Sequence, residues 1–415
     1  MSLLSVDEAL RRVLASVEQP VDGETLPLAA CGGRTLAADL VSRREQPPFP
    51  ASAMDGYAVR GADLGADPVV LHVVGTSAAG HGFGGRLKPG EAVRIFTGAP
   101  VPEGADTIVI QEDAERSGDR VTITVHPEPG RFIRPAGLDF SQGEILLRAG
   151  DRLDAKRLAL AAAMGCGELP VRRRPRVAIL ATGDELVRPG EPAGPDQIVA
   201  SNPYAVAALV EKAGGEPVDL GIAEDTFEAL EERIAAARAA EADILVTLGG
   251  ASVGEHDLVQ SALTQQGMEL GFWRVGLRPG KPLMHGRIGP MRLLGLPGNP
   301  VSSMVCGVLF LVPAIRALLG DPAAGADPSE DALLGSDLPA NDGRQDYLRA
   351  RLARRKVDVS TSVSLEVPVA TAHPKQDSSM IGLFERSDAL IVRPPHAPAA
   401  RAGEVCRIIL LSRFC

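Results

Sequence analysis

The strongest constraint on how this chain can fold is a strand–helix alternation that begins at Val177. An apolar run, VAIL, leads into TGDEL and then an amphipathic stretch at 203–213. A second apolar run at 218–222 precedes a long helical pattern at 227–240 and a strand at 243–248. A Gly-rich turn, a helix at 258–266, a strand at 291–296, the turn GLPGNP and a last helix reaching Leu319 complete the series. Strands separated by helices of this length cannot pair as hairpins. They call for a parallel sheet with helices on both faces. Ligands of such sheets lie at the carboxyl ends of the strands. The polar turns TGDEL, GGASVGEHD and GLPGNP all follow strands, so they are expected to converge on one edge.

The flanking segments have a different texture. Residues 1–45 read as mostly helical, opening with the amphipathic MSLLSVDEALRRVL and closing in RREQPPFP. From Gln46 to Gly137, short β-rich runs at 69–75, 92–97, 107–111 and 120–126 alternate with Gly/Pro turns, which suggests a small β-barrel or sandwich. A helical stretch at 154–165 precedes the basic RRRPR. After Gly320 an acidic, Pro-rich linker leads to β-like runs at 347–352, 365–370 and 389–392, read as a second small β domain. The fold class is therefore α/β multidomain: a doubly wound α/β unit with two small β domains and a helical or mixed N-terminal domain.

Composition narrows the function. The net charge is −10 and aromatics make up 3%, which argues against a nucleic-acid footprint or a base-stacking platform. No run approaches the ~20 apolar residues of a membrane span; the longest, near 305–312, meets Pro313. The N-terminus lacks a basic start and a cleavage site, so a cytoplasmic protein is expected. The five cysteines are scattered and the seven histidines show no ligand spacing, so neither a disulfide framework nor a zinc site is expected.

The three turns carry residues suited to anions. In GGASVG, Gly249, Gly250 and Gly254 allow close backbone approach and Ser252 adds a hydroxyl, although an ordinary strand-to-helix turn has the same pattern. Asp184 and Glu185 of TGDEL share the edge with Asp225 and Asp257. Four carboxylates beside a phosphate cradle suit Mg²⁺, with helix capping as the plain alternative. RPGKP holds Arg278 and Lys281 in a stiff turn fit for an oxyanion, or simply for solvent. GLPGNPVSS offers Pro297, Asn299, Pro300 and Ser302 at a helix start. Upstream, PPFPASAMDGYAV carries Asp55 and FTGAPVP carries Thr97, each also readable as turn chemistry. HPKQDSSM supplies Ser378 and Ser379.

Taken in order, PPFPASAMDGYAV, FTGAPVPEGAD, RPAGLDF, ATGDEL, TLGGASVGEHD, RPGKP and LPGNPVSS resemble the molybdopterin molybdenumtransferase (MoeA) family, which is related to the gephyrin E domain. The resemblance runs the length of the chain. It implies an elongated homodimer of four-domain subunits. Residues 1–45 with 138–172 would form a composite domain, 46–137 an inserted β domain, 173–325 a MogA-like α/β domain and 326–415 a C-terminal β-barrel. It implies a reaction in which adenylylated molybdopterin and molybdate react, with Mg²⁺ assisting, to give molybdenum-loaded molybdopterin and AMP.

By position, Asp55, Thr97, Asp139, Glu185, Asp225 and Asp257 match the family's functional acidic or hydroxyl residues. Asp55, Thr97 and Asp139 are expected to reach the site from the other subunit. Ser252, Arg278, Lys281, Pro282, Ser302, Arg349 and Ser379 match molybdate or pterin-phosphate contacts, with Ser378 competing for the last place. Partners would be a molybdopterin adenylyltransferase and downstream molybdoenzymes or their chaperones. Two positions depart from the family: Leu138 stands where glutamate is usual, and Arg278 where lysine is commoner. The other readings are a non-catalytic scaffold, an adenylyltransferase acting on the pterin phosphate, and a tungstate-preferring paralogue.

Overall fold

The structure is a computed structural model that describes residues 3–65, 68–249, 258–360 and 363–415. Its centre is a six-stranded sheet with strand order Glu216–Ala223, Arg176–Thr182, Ile244–Leu248, Met291–Leu296, Pro282–Ile288, Glu269–Arg274. The first four strands run parallel, as the alternation requires. The last two do not. Pro282–Ile288 returns antiparallel to Met291–Leu296 through a tight turn at Gly289, and Glu269–Arg274 pairs antiparallel beyond it. The sheet is therefore mixed rather than wholly parallel, because a two-residue turn between 288 and 291 leaves no room for a crossover helix.

The central strands are buried on both faces, and the pleat divides their side chains between two cores. Val177 and Ile179 join one cluster, with Val206, Leu209 and the helix Pro300–Leu318. Ala178 and Leu180 join the other, with Leu230, Ile234 and Val259. The helix Pro300–Leu318 is long and apolar enough to cross a membrane, but 83% of its most apolar window is buried in the protein. It is the core helix of this unit. Pro313 does not end it: a π-helical stretch, Gly307–Leu311, precedes the proline, and the widened turn absorbs the missing N–H donor.

Among the described residues of the first 45 there is one α-helix, Val6–Ala15, and one 3-10 turn, Leu28–Ala30, the rest being strands and turns, which corrects the mostly helical expectation. Ser5 caps this helix by accepting from the Glu8 N–H at 3.2 Å. Its Val6, Ala9 and Val13 are buried in the same core as Pro300–Leu318. The next stretch pairs with a distant one: Gly23–Pro27 runs antiparallel to Glu168–Arg172, and Leu40–Val41 to Ile145–Leu147. Leu36, Leu40, Phe140, Leu153 and Leu169 close a separate core there.

The segment between them is a six-stranded mixed sheet in the order Thr107–Ile110, Gly56–Val59, Glu91–Ile95, Val69–Ser77, Arg120–Ile123, Ala114–Ser117. Its two end strands do not pair with each other, so it is an open sheet with a cluster on each face rather than a closed barrel. The C-terminal segment does close. Glu330–Leu334, Gln345–Ser360, Val363–Ala372, Ala389–Arg393 and Val405–Leu410 form a five-stranded barrel, sealed by pairing of 345–360 with 389–393. Leu277–Arg278 adds in parallel to Gln345–Asp346, which ties the RPGKP turn to the barrel.

Candidate active site

Three loops meet at the carboxyl ends of the parallel strands. The strand Arg176–Thr182 ends in Gly183 at φ +141°, where an added methyl group would overlap the Glu185 carboxylate folded back over it. Only glycine suits that position. Asp184 Oδ1 accepts the Asp225 N–H at 3.0 Å, so the first and second strand ends are joined through a carboxylate. The Asp225 carboxyl is held above its ordinary range by burial first, then by the charges of Asp184 and Glu185. Three carboxylates thus meet at two neighbouring strand ends, and none of them makes an ion pair among the described residues.

Beside them lies a cleft of about 660 Å³. Glu185, Gly249, Pro282, Pro297, Asn299, Pro300, Ser302 and Ser379 all line it. Gly249 has φ +99° and packs so closely on the first strand that an added methyl would sit 2.8 Å from the Thr182 carbonyl oxygen. The Asn202 amide donates to the Gly298 carbonyl at 2.6 Å and fixes the LPGNP loop against the helix Asn202–Ala213. Gly250, Ser252, Gly254 and Asp257 fall outside the described residues.

The barrel contributes the opposite wall. Asn299 Nδ2 donates to Ser378 Oγ at 3.0 Å, and the Val301 N–H donates to the Ser378 carbonyl at 3.0 Å. Ser378 therefore clamps the barrel loop to the helix start, while its neighbour Ser379 faces the cleft. Ser379 Oγ donates to Asp377 Oδ1 at 2.7 Å. Behind this loop Arg349 is 1% exposed. Its Nε and backbone N–H donate to Gln376 Oε1 at 3.3 and 3.0 Å, but both terminal nitrogens are buried without a partner among the described residues. Burial lowers its pKa despite the nearby Asp377. A buried guanidinium with two unpaired donors is costly unless an anion satisfies it.

The two cations of RPGKP part company. Arg278 forks onto the buried Asp346 through Nε at 2.8 Å and Nη2 at 2.5 Å, and this pairing raises its pKa. Its charge is spent holding the barrel to the α/β unit. Lys281 is exposed and makes no ion pair among the described residues. Gly280, at φ +123°, lies so close to the core helix that an added methyl would meet Cys306 Sγ at 2.6 Å, which seats the turn against that helix.

Asp55, Thr97 and Asp139 sit apart from the cleft in this chain. Thr97 donates to Asp55 Oδ1 twice, from its N–H at 2.7 Å and its hydroxyl at 2.8 Å, and these bonds lower the Asp55 pKa. The Asp139 N–H donates to the Gln46 carbonyl at 2.9 Å, and the Ala53 N–H to the Phe132 carbonyl at 2.8 Å, so the three segments are laced together. Phe49, Met54, Phe96 and Leu138 lie exposed on these segments. Asn202, Asp346 and Gln376 are functional supports that motif reading did not pick out. Asn202-Pro203 at a helix start was the one available signal; the partners of Asp346 and Gln376 lie far away in sequence.

Family models match nearly the whole chain: the MoeA N-terminal region (domain I and II) over residues 4–165, a probable molybdopterin binding domain over 178–317, and the MoeA C-terminal region (domain IV) over 331–411. A molybdopterin molybdenumtransferase of Nostoc sp. is 41% identical over 342 residues, covering 80% of this chain and 78% of that protein. One from Haemophilus influenzae is 34% identical over 407 residues and 98% of both chains. A crystal structure of the molybdopterin biosynthesis moeA protein from Pyrococcus horikoshii OT3 superposes with a TM-score of 0.84 at 28% identity, covering 99% of this chain and 100% of that one. On these matches the chain belongs to the MoeA family, the molybdopterin molybdenumtransferases.

Proposed function

We propose that this chain inserts molybdenum into adenylylated molybdopterin, cleaving the phosphoanhydride and releasing AMP. The observation that carries the reading is the polarity of the cleft. Unneutralised carboxylates stand at one side, and an unpaired buried guanidinium lies behind the loop that forms the other. Molybdate and the pterin phosphate supply the negative charge that Arg349 and Lys281 lack. Ser302 and Ser379 add hydroxyl donors, and the dipole at the start of Pro300–Leu318 adds positive potential on the same side.

The acidic turn fits Mg²⁺ by donor chemistry. Its groups are all carboxylate oxygens, and their mutual repulsion is relieved by a cation. No group of three acidic or imidazole ligands is assembled among the described residues. That suits an ion commonly held by one or two carboxylates and completed by substrate phosphates. One or two of Asp184, Glu185, Asp225 and Asp257 would hold it, and the bound ion would offset charge on the anhydride.

The chain's own residues then act mainly by positioning. Glu185 and Asp225 orient water and metal, Lys281 and Arg349 orient the oxyanions, and no protein nucleophile is required. The same reading takes the working unit as a cytoplasmic homodimer of four-domain subunits. In it Asp55, Thr97 and Asp139 complete the partner subunit's cleft, and the exposed Phe49, Met54, Phe96 and Leu138 provide the apolar contact. A molybdopterin adenylyltransferase would supply its substrate, and molybdoenzymes or their chaperones would accept its product.

The test is AMP release from adenylylated molybdopterin by the purified chain, with molybdate and Mg²⁺ each present or withheld. Release that needs both is the expected result. Equal release without molybdate would overturn insertion as the reaction.

A further inference from the structure

The cleft lies at the start of the core helix. At its other end, roughly 25 Å from Pro300 by helix rise, is a separate cavity of about 540 Å³. Three parts of the chain wall it: residues 150–157 of the composite domain, the last turns of Asn202–Ala213 and Pro300–Leu318, and the segments 321–328 and 413–414 that flank the barrel. Leu209, Val312 and Phe414 give it an apolar side. Gly150 packs so closely that an added methyl would overlap the Gly320 carbonyl oxygen, so the composite domain sits directly on the helix end.

Five cations and three acids face this cavity, and the acids are all engaged. Asp151 pairs with Arg157 at 3.2 Å and accepts the Arg148 N–H at 2.8 Å. Asp327 accepts from Ser329 and Arg407. Asp321 accepts from Arg316 Nε at 2.7 Å and from the Ala323 N–H at 2.8 Å. Of the cations, Lys212 donates to the Ser412 and Cys415 carbonyls, and Arg413 pairs with Glu330. Arg152 is left over. Its Nε donates to the Gly33 carbonyl at 3.2 Å, and it makes no ion pair among the described residues. Arg316 keeps both terminal nitrogens without a hydrogen bond among the described residues. Desolvation lowers the Arg152 pKa, as do the charges of Arg174 and Arg316, with Asp321 acting against them. Lys212 and Arg316 stand in last helical turns, where the helix dipole favours cations. That account does not reach Arg152, which comes from the composite domain.

We propose that this cavity binds a small organic dianion with an apolar body, an aryl phosphate or an aromatic dicarboxylate, clamped between Arg152 and Arg316. A guanidinium forks onto carboxylate and phosphate alike. The volume is that of an organic-ligand site and far more than a bare tetrahedral oxyanion fills. Leu209, Val312 and Phe414 cover the body and remove it from water. Arg152 belongs to the composite domain and Arg316 to the α/β unit, so the ligand bridges the two. The site stands whether or not the cleft inserts molybdenum.

The test is calorimetric titration of the full-length protein with phenyl phosphate and with phthalate, using inorganic sulfate as the dianion without a body. At least one organic dianion should bind about tenfold or more tightly than sulfate, and the tighter of the two identifies the head group. Arg152→Gln, which keeps a donor for the Gly33 carbonyl, should weaken that binding by roughly tenfold or more. Ala323→Glu, which adds a carboxylate to the exposed wall, should weaken it at least as much. Circular dichroism should show both variants folded as the unmodified chain is. Arg349→Met, altered at the cleft, should bind the dianion unchanged. Affinity no better than for sulfate, unchanged binding in either Arg152→Gln or Ala323→Glu, or loss of binding in Arg349→Met would overturn the site.

Discussion

The two ends of the central sheet treat charge in opposite ways. At the amino end, Asp243 is 11% exposed in its side chain and fully engaged: Arg173 donates to it twice, at 2.7 and 2.8 Å, and the Arg176 N–H once more at 2.8 Å. At the carboxyl end, Asp184, Glu185 and Asp225 repel one another, and Arg349 keeps two buried nitrogens unpaired. The carboxylates at both ends belong to one α/β unit, so packing does not explain their difference; Arg349 comes to the carboxyl end from the barrel. Charge at the amino end is satisfied within the chain and serves the fold. Charge at the carboxyl end awaits a ligand and costs stability until one binds.

The largest expected effect lies at the satisfied end. Asp243→Ala should lower folding stability by about 3–5 kcal/mol, since it strands Arg173 and an N–H, while turnover per folded molecule stays unchanged. Denaturant titration with activity measured on the soluble fraction checks both halves. At the other end, Arg349→Met should do the reverse. It should cut AMP release by about 10²-fold yet leave the free protein as stable as the unmodified chain or more so.

A third prediction tests burial without a ligand. His285 is 6% exposed, stacked on Phe272 at 5.2 Å, and pushed down to about 4 by burial. Its folded pKa lies below the unfolded one, so the unfolded state binds the proton first. Stability should therefore fall as pH drops from about 6.5 toward 4, by about 2 kcal/mol between pH 7 and pH 5. His285→Phe should flatten that slope in a pH series of thermal melts. The smallest effect on stability is at Asp225, whose raised pKa marks a carboxylate destabilised when ionised. Asp225→Asn should raise the Tm at pH 7 by about 1–2 °C while abolishing Mg²⁺-dependent turnover.

Much of the site was legible because its residues sit on turns whose strands and helices carry strong periodicity. TGDEL and LPGNP follow buried β runs, and Glu185, Asn299 and Ser302 meet in the cleft as that pattern implies. What was not legible depends on distant partners. Nothing near RPGKP reveals that Asp346 accepts from Arg278 across 68 residues, so the cation that looked available is occupied. The antiparallel strands Glu269–Arg274 and Pro282–Ile288 were hidden by Gly271 and Gly286, which break the apolar run in each. The last helix was expected to reach Leu319 and does run to Leu318; the π turn that carries it past Pro313 has no local signal. The pairing of 23–27 with 168–172 is likewise invisible to local patterns, which is why the first 45 residues looked helical.

The central claim is that the unpaired donors of Arg349 exist to receive the oxyanion, and thermal melts with and without molybdate test it most directly. Molybdate should raise the Tm of the unmodified chain and leave that of Arg349→Met unmoved. An equal upward shift in both proteins would contradict the claim and return Arg349 to a purely structural role.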